Sequence, residues 1–312
     1  MRTVPPPHGG FAGAPVETDL ARLSADWAFL GIPFGVPYGM RDVYPPSAEA
    51  PVAVRRCAEQ FIGYLHHYDF DIGGPVLDEG DLSLVDAGDV PGDPYDPPAN
   101  AVRAAAAVTA VLERGGVPLV VGGDHSIPPL VLAAFAGRGP VDVVHVDAHL
   151  DFRDEVDGVG GGYSSPIRRL REMPWVRTIV QVGLRGPGSA RPREVDEARA
   201  AGNVLLTAEE VHERGIDRVL EHLEPGVPVY LTVDIDGIDP ACAPAATWPA
   251  PGGLTYTQMV RLLRGIVARG PLVGMDVCEY APDRDVNDLT ALFITRLFLV
   301  AWGAARLAAG AA

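Results

Sequence analysis

Three short segments concentrate the side chains that could do chemistry. They read Gly122-Gly123-Asp124-His125-Ser126, Asp147-Ala148-His149-Leu150-Asp151 and Asp234-Ile235-Asp236-Gly237-Ile238-Asp239-Pro240. Each follows an apolar run, so each sits where a strand gives way to a loop. Alternate residues of an extended chain point the same way, so Asp147, His149 and Asp151 can converge on one side, and so can Asp234 and Asp236. Any one of these carboxylates could simply cap a helix or a turn. Grouped with His125 at these spacings they read differently, because clustered carboxylates without counter-charge raise one another's pKa and cost stability. Two divalent ions would neutralise the four carboxylates Asp147, Asp151, Asp234 and Asp236. Imidazole and carboxylate without thiolate suit Mn²⁺ first, with Ni²⁺, Co²⁺, Fe²⁺ or Zn²⁺ allowed by ligand chemistry. A two-metal site lowers the pKa of a water and presents hydroxide to an electrophilic carbon, which makes hydrolysis the natural reaction class.

The elements that must position these groups follow from periodicity. Apolar runs at 27–32, 82–86, 117–121, 141–146, 178–182, 204–206, 227–233 and 272–277 are eight candidate strands. Several are apolar on both faces, as expected of strands covered on both sides in a parallel sheet. Helical patterns at 100–114, 208–223, 255–269 and 287–309 alternate with them, two ending at Gly115 and Gly270. The expected fold is a three-layer α/β/α domain with a mostly parallel eight-stranded sheet, spanning 26–312 without an internal linker. Ligands in such folds bind beyond the carboxyl ends of the central strands. Residues 1–25, rich in Pro and Gly, read as a poorly ordered arm or a loosely packed surface strap.

Composition narrows the partners. With 25 Lys+Arg against 41 Asp+Glu among 312 residues, the net charge of −16 argues against nucleic acid and anionic membranes and favours a cationic ligand. Cys57, Cys242 and Cys278 are too few and scattered for a disulfide framework, which fits a reducing cytoplasm. No apolar stretch runs unbroken for the roughly 18 residues of a membrane span, and the N-terminus has no signal-like apolar core.

The three segments resemble the GGDHS, DAHxD and DxDxxDP signatures of the ureohydrolases, the family of arginase and agmatinase. The resemblance runs from Gly31-Ile32-Pro33-Phe34 through Tyr68-Asp69-Phe70-Asp71 and Asp86-Ala87-Gly88-Asp89 to Asp276-Val277-Cys278-Glu279, and agmatinase-like members are nearer than arginase. It implies that His125, Asp147, Asp151 and Asp234 hold one metal and Asp147, His149, Asp234 and Asp236 the other, with Asp147 and Asp234 bridging. The related histone deacetylases keep one catalytic metal by resemblance, so His125, Asp151 and Asp236 favour a binuclear centre. Glu279 stands where the family pairs a carboxylate with the planar substrate guanidinium. Asp239 is expected to orient a loop, and His145 to be a structural core histidine. The resemblance also implies a homo-oligomer, a trimer or hexamer.

Three departures mark a divergent branch. Agmatinase-like enzymes carry a His-Gly pair between the positions of Asp151 and Pro166, its histidine serving as a proton shuttle; here Tyr163 takes that place. A phenol titrates near pH 10, so Tyr163 can donate a hydrogen bond or shape the pocket but is a poor base at neutral pH. Trp248 replaces a small polar residue, where an indole would reshape the pocket or stack on a guanidinium. The loop 35–40 also differs from its agmatinase counterpart. His66 and His67 lie in no recognisable shuttle motif, and the arginase segment that reads an α-amino acid is absent after Asp151, where Asp154, Glu155 and Asp157 stand instead.

The sequence therefore leads to a binuclear-metal hydrolase of a small cationic guanidino compound, agmatine-like or alkylated, releasing urea or a substituted urea and an amine. Glu279, Asp151 and Tyr163 are its candidate catalytic residues, and Glu279, Trp248 and Tyr163 its candidate substrate contacts. Two alternatives stay open: a metal-binding subunit that has lost activity along with the shuttle histidine, and a hydrolase of another non-peptide C–N bond.

Overall fold

The computed structural model describes residues 1–39, 44–78 and 83–310. Position 40 of the loop 35–40 and position 82 of the candidate strand 82–86 lie outside the described residues. Among the described residues, eight strands form one sheet: β1 (Trp27–Ile32), β2 (Leu84–Asp89), β3 (Val117–Gly122), β4 (Val141–Val146), β5 (Val176–Leu184), β6 (Val204–Thr207), β7 (Val229–Asp234) and β8 (Leu272–Cys278). The order is β2-β1-β3-β8-β7-β4-β5-β6, and every ladder is parallel. The eight apolar runs are these eight strands, shifted by at most a few residues at their ends.

Nine helices cover the two faces: α1 (Ala50–Ala58), α2 (Pro97–Leu112), α3 (Ile127–Leu132), α4 (Pro166–Arg171), α5 (Pro192–Ala200), α6 (Ala208–Arg214), α7 (Asp217–Leu220), α8 (Tyr256–Arg269) and α9 (Leu289–Gly310), all within the described residues. Two apolar layers result. One joins α1 and α6 to α9 on one face, the other α2 to α5 on the opposite face. Alternate strand residues feed them in turn: Leu119 and Val121 enter the first layer, Val120 the second. The predicted helix 208–223 is broken in two at Gly215, whose φ of 78° ends α6. Helices α1, α3, α4 and α5 escaped the periodicity because each is short and opens with a proline in its first turn, a residue more readily taken for a loop. Helix α9 is 22 residues long and apolar enough to span a bilayer, but two-thirds of its most apolar stretch is buried, mainly against α1 and α8. It is the central helix of its layer.

The N-terminal segment is not loose. Phe11 is fully buried, stacked on Phe29 with ring centroids 4.7 Å apart and edge-on to Phe298 at 5.9 Å. Its backbone N–H donates to Asp86 Oδ2 at 2.8 Å, and Val4 and Val16 bridge to the edge strand β2. An exposed edge strand needs backbone partners, and this strap supplies them. Asp86 is shared with the fully buried Arg55, at 2.7 and 3.0 Å, and Arg55 also reaches Asp89 at 2.7 Å.

Candidate active site

Strands β3, β8, β7 and β4 are neighbours at the centre of the sheet, and their carboxyl ends carry all three chemical segments plus Glu279. The chain leaves β3 and re-enters the sheet at β4, with β8 and β7 lying between them, which opens a crevice at this point. Parallel register does the rest: Thr232 pairs with His145 on one side and with Asp276 on the other, bringing four strand ends level.

His125 Nδ1 faces three carboxylate oxygens at once: Asp147 at 3.1 Å, Asp234 at 3.2 Å and Asp151 at 3.3 Å. Its other nitrogen, Nε2, lies 3.0 Å from Thr232 Oγ1, whose hydroxyl donates to Asp276 Oδ1 at 2.7 Å. Because the threonine proton is committed to Asp276, Thr232 accepts from His125 Nε2–H. That fixes Nε2 as a donor and turns Nδ1, the nitrogen free to hold a metal, toward three anionic oxygens. Burial would lower the His125 pKa, but Asp147, Asp151 and Asp234 outweigh burial and hold it well above the usual imidazole value, so in the protein alone Nδ1 carries a proton whose place a bound cation would take. Tyr230 OH donates to the other oxygen of Asp276 at 2.6 Å, completing a buried relay.

The second half is built alike. His149 Nδ1 lies 3.0 Å from Asp236 Oδ2 and 3.5 Å from Asp147 Oδ1. Asp236 is held by the Ala148 N–H at 3.0 Å, and Asp234 accepts from the Asp236 N–H at 2.9 Å. The potential ligand atoms of His125, His145, Asp147 and Asp151 form one close cluster, and those of Asp147, His149 and Asp236 another, with Asp147 common to both. Five of the six sequence-predicted ligands lie in these two clusters, and the sixth, Asp234, stands beside the first, 3.2 Å from His125 Nδ1. His145 is buried as expected, but in contact with this cluster: Nε2 approaches Asp147 Oδ2 to 2.8 Å without the alignment of a hydrogen bond. Gln181 Nε2 donates to its Nδ1 at 3.1 Å, which leaves the proton on Nε2, facing Asp147. His145 thus presents a proton, not a lone pair, to the centre.

With protein groups alone as neighbours, the electrostatics are strained. Burial, then Asp147, pushes Asp151 up to about 7; burial, then Asp236, pushes Asp234 up to about 8; burial, then Asp147, pushes Asp236 up to about 7. His149 is raised to about 11 by its bonds to Asp147 and Asp236. Asp147 goes the other way: burial would raise it, but His145, His125 and His149 outweigh burial and hold it well below the carboxylate range. Divalent cations would replace protons on these groups and relieve the repulsion, so the donor set fits a two-ion centre.

Two residues at the site pay a backbone cost. Asp151 (φ 49°) and Glu279 (φ 63°) occupy the left-handed region without being glycine or asparagine. Glu279 is locked there: its N–H donates to Gly123 O at 2.9 Å, and its Oε1 accepts the His125 N–H at 2.9 Å. Burial, then Asp234 and Asp124, raises its carboxyl to about 8, a group made to receive a cation.

These groups floor a cavity of about 380 Å³ walled by Tyr163, Trp248, Arg153, Val156 and Gly188. Trp248 is two-thirds exposed at the mouth and so is not packing a loop. Tyr163 sits edge-on to Tyr38, ring centroids 4.6 Å apart, and Tyr38 OH accepts the Ser164 N–H at 2.8 Å. A Cβ on Gly162 would lie 2.2 Å from Tyr38 Cε1, so this residue must be glycine for the two loops to meet. Asp239 ties its loop by accepting from Ala241 N–H at 2.9 Å and Gly252 N–H at 2.7 Å. His66 and His67 are exposed and line no part of this cavity, and Asp154 pairs with Arg169 at 2.8 Å. Thr232 and Arg153 went unread in the sequence, since no motif links them to the metal segments, and Asp276 and Tyr38 were read only as members of the segment ending in Glu279 and of the loop 35–40.

An all-parallel α/β/α fold with a paired His/Asp cation centre at its switch point defines a class of metal-dependent hydrolases. The Arginase family model matches residues 25–302, and the chain belongs to that family, in its agmatinase-like branch of ureohydrolases, which act on C–N bonds of amidino and guanidino compounds. It is 34% identical to proclavaminate amidinohydrolase of Streptomyces clavuligerus over 84% of each chain. The solved structure of that enzyme superposes with a TM-score of 0.83 over 96% of this chain and 98% of the other, at 30% identity. The mitochondrial agmatinase of Gallus gallus is 34% identical over 89% of this chain and 80% of its own, and the guanidinobutyrase of Pseudomonas aeruginosa 31% identical over 89% and 85%.

Proposed function

We propose that this chain hydrolyses a small guanidino compound to urea, or a substituted urea, and an amine, on two divalent ions. His125, Asp147, Asp151 and Asp234 would hold one ion and Asp147, His149, Asp234 and Asp236 the other, with Mn²⁺ the first candidate and Ni²⁺ or Co²⁺ the alternatives. Bound there, the ions supply Lewis acidity and an activated water. The observation that carries this reading is His125 Nδ1 held by the Nε2–Thr232 bond within 3.3 Å of three carboxylates.

The chain's own residues bind and orient. Glu279, held by backbone bonds on both its N–H and its carboxylate, presents oxygen to the guanidinium N–H groups and fixes the central carbon over the floor of the cavity. Asp151, on the same floor, accepts a hydrogen bond from the attacking water. Water adds to the guanidino carbon, the C–N bond to the amine breaks, and a proton originating from the water goes to the departing nitrogen. Tyr163, at the wall, donates a hydrogen bond to that nitrogen's side of the substrate and closes the pocket with Trp248. We place the enzyme in the cytoplasm as a homo-oligomer, in keeping with its unpaired cysteines and its resemblance to the family.

Purified protein loaded separately with Mn²⁺, Ni²⁺ and Co²⁺ tests this by urea release from agmatine, 4-guanidinobutyrate, arginine, guanidine and alkylguanidines. Release that vanishes in Asp147→Ala supports it. Formamide or a carboxylate product in place of urea would assign a different scissile bond.

A further inference from the structure

The cavity's lining is chemically mixed. Its floor is carboxylate and imidazole, but among the described residues that line it one side chain is a permanent cation, Arg153. We propose that Arg153 binds a carboxylate at the far end of the substrate, so that the enzyme acts on a guanidino acid in preference to a guanidino amine. This inference rests on the function proposed above.

Arg153 is positioned as a binding group. Its side chain is 18% exposed. Nη1 donates to Ser189 O at 3.1 Å and Nη2 to Glu155 O at 3.2 Å, tying it to the loops after β5 and β4 that wall the cavity. A guanidinium has two N–H groups on each terminal nitrogen, so one on each is left for a planar anion. Nε is buried 3.5 Å from Glu194 Oε1 without a hydrogen bond.

Glu194 does not neutralise it. The same oxygen, Oε1, serves Arg191 Nη2 at 2.5 Å and Arg193 Nη2 at 3.5 Å. Glu197 is likewise shared between Arg168 and Arg193. Four guanidinium groups therefore surround two carboxylates, a local excess of positive charge in a chain whose net charge is −16. Facing Arg153, the one of the four that lines the cavity, the terminal ammonium of a guanidino amine is repelled and a carboxylate attracted, and at close range that difference decides between partners.

The test compares 4-guanidinobutyrate, agmatine and uncharged n-butylguanidine with the metal-loaded wild type, Arg153→Met and Arg153→Lys. In the wild type, kcat/KM is expected to be highest for the acid. In Arg153→Met the acid-to-butylguanidine ratio of kcat/KM falls ~10- to 100-fold, mostly through KM, and the agmatine-to-butylguanidine ratio rises. Arg153→Lys restores part of the acid preference. A merely structural arginine would depress all three substrates together and leave the ratios where they were; that outcome, or a wild type that prefers agmatine, overturns the proposal. Calorimetric binding of the acid and of butylguanidine to the same proteins reads the ratio without turnover. If no substrate releases urea, the function proposed above fails, while loss of acid binding in Arg153→Met still upholds the anion site.

Discussion

At the residue scale the site is a set of oriented lone pairs. Thr232 matters as much as a ligand because it fixes which nitrogen of His125 faces the carboxylates. Thr232→Val keeps the volume and removes that bond, and is expected to weaken metal binding ~10- to 100-fold, read by competition with a chelating dye, with the circular dichroism spectrum unchanged. Glu279→Gln keeps the shape and the bond from the His125 N–H but removes the charge. It is expected to lower kcat/KM ~100-fold while metal content stays the same. The ligands were legible in the sequence because each segment is contiguous and its spacing puts alternate side chains on one side. The relay through Thr232 to Asp276, the pairing of Arg153 with Glu194, and the contact of His145 with Asp147 were not. The first two join segments more than forty residues apart in sequence, and nothing local marks the third, since an apolar run carrying one histidine reads as core.

At the scale of elements, two loops and one strap set the geometry. The loop bearing Tyr38 meets the loop bearing Tyr163 through one backbone bond and one ring contact. Tyr38→Phe keeps the ring but leaves the Ser164 N–H without its acceptor, and is expected to cost ~1–3 kcal/mol in stability and to raise KM more than it lowers kcat. Gly162→Ala forces the loops apart and is expected to be worse on both counts. The strap's firmness was misjudged from composition, because Pro and Gly in 1–25 signal a flexible chain while the buried Phe11, Leu20 and Leu23 that anchor it form no periodic pattern. Its anchor is Asp86, whose other partner is buried Arg55. Arg55→Met strands Asp86 and Asp89 and is expected to cost ~3–5 kcal/mol, seen as a lower urea midpoint. The long strands were legible from their two-sided apolarity, and α2, α8 and α9 from length and periodicity. The short proline-led helices were not, since a single turn or two of helix leaves too little period to detect.

At the scale of the molecule, folding and metal loading are coupled. Asp151 and Asp236 at about 7 and Asp234 and Glu279 at about 8 all stand above their unfolded values. A raised carboxyl contributes stability that is fully present below its unfolded pKa near 4 and is lost as pH rises through its folded value. His149, raised to about 11, acts in the same direction, its contribution fully present below the unfolded value near 6.5 and lost progressively as pH rises from there toward 11. Metal-free protein is therefore expected to melt at lower temperature at pH 8.5 than at pH 6. Divalent metal should reverse that trend, because it takes the place of the protons. One centre doing one reaction is tested most directly by titrating metal-free protein with Mn²⁺ while following urea release from 4-guanidinobutyrate. Activity should climb to a plateau at two ions per chain and be absent in Asp147→Ala; no urea at any metal ratio, or release that survives the loss of Asp147, would contradict it.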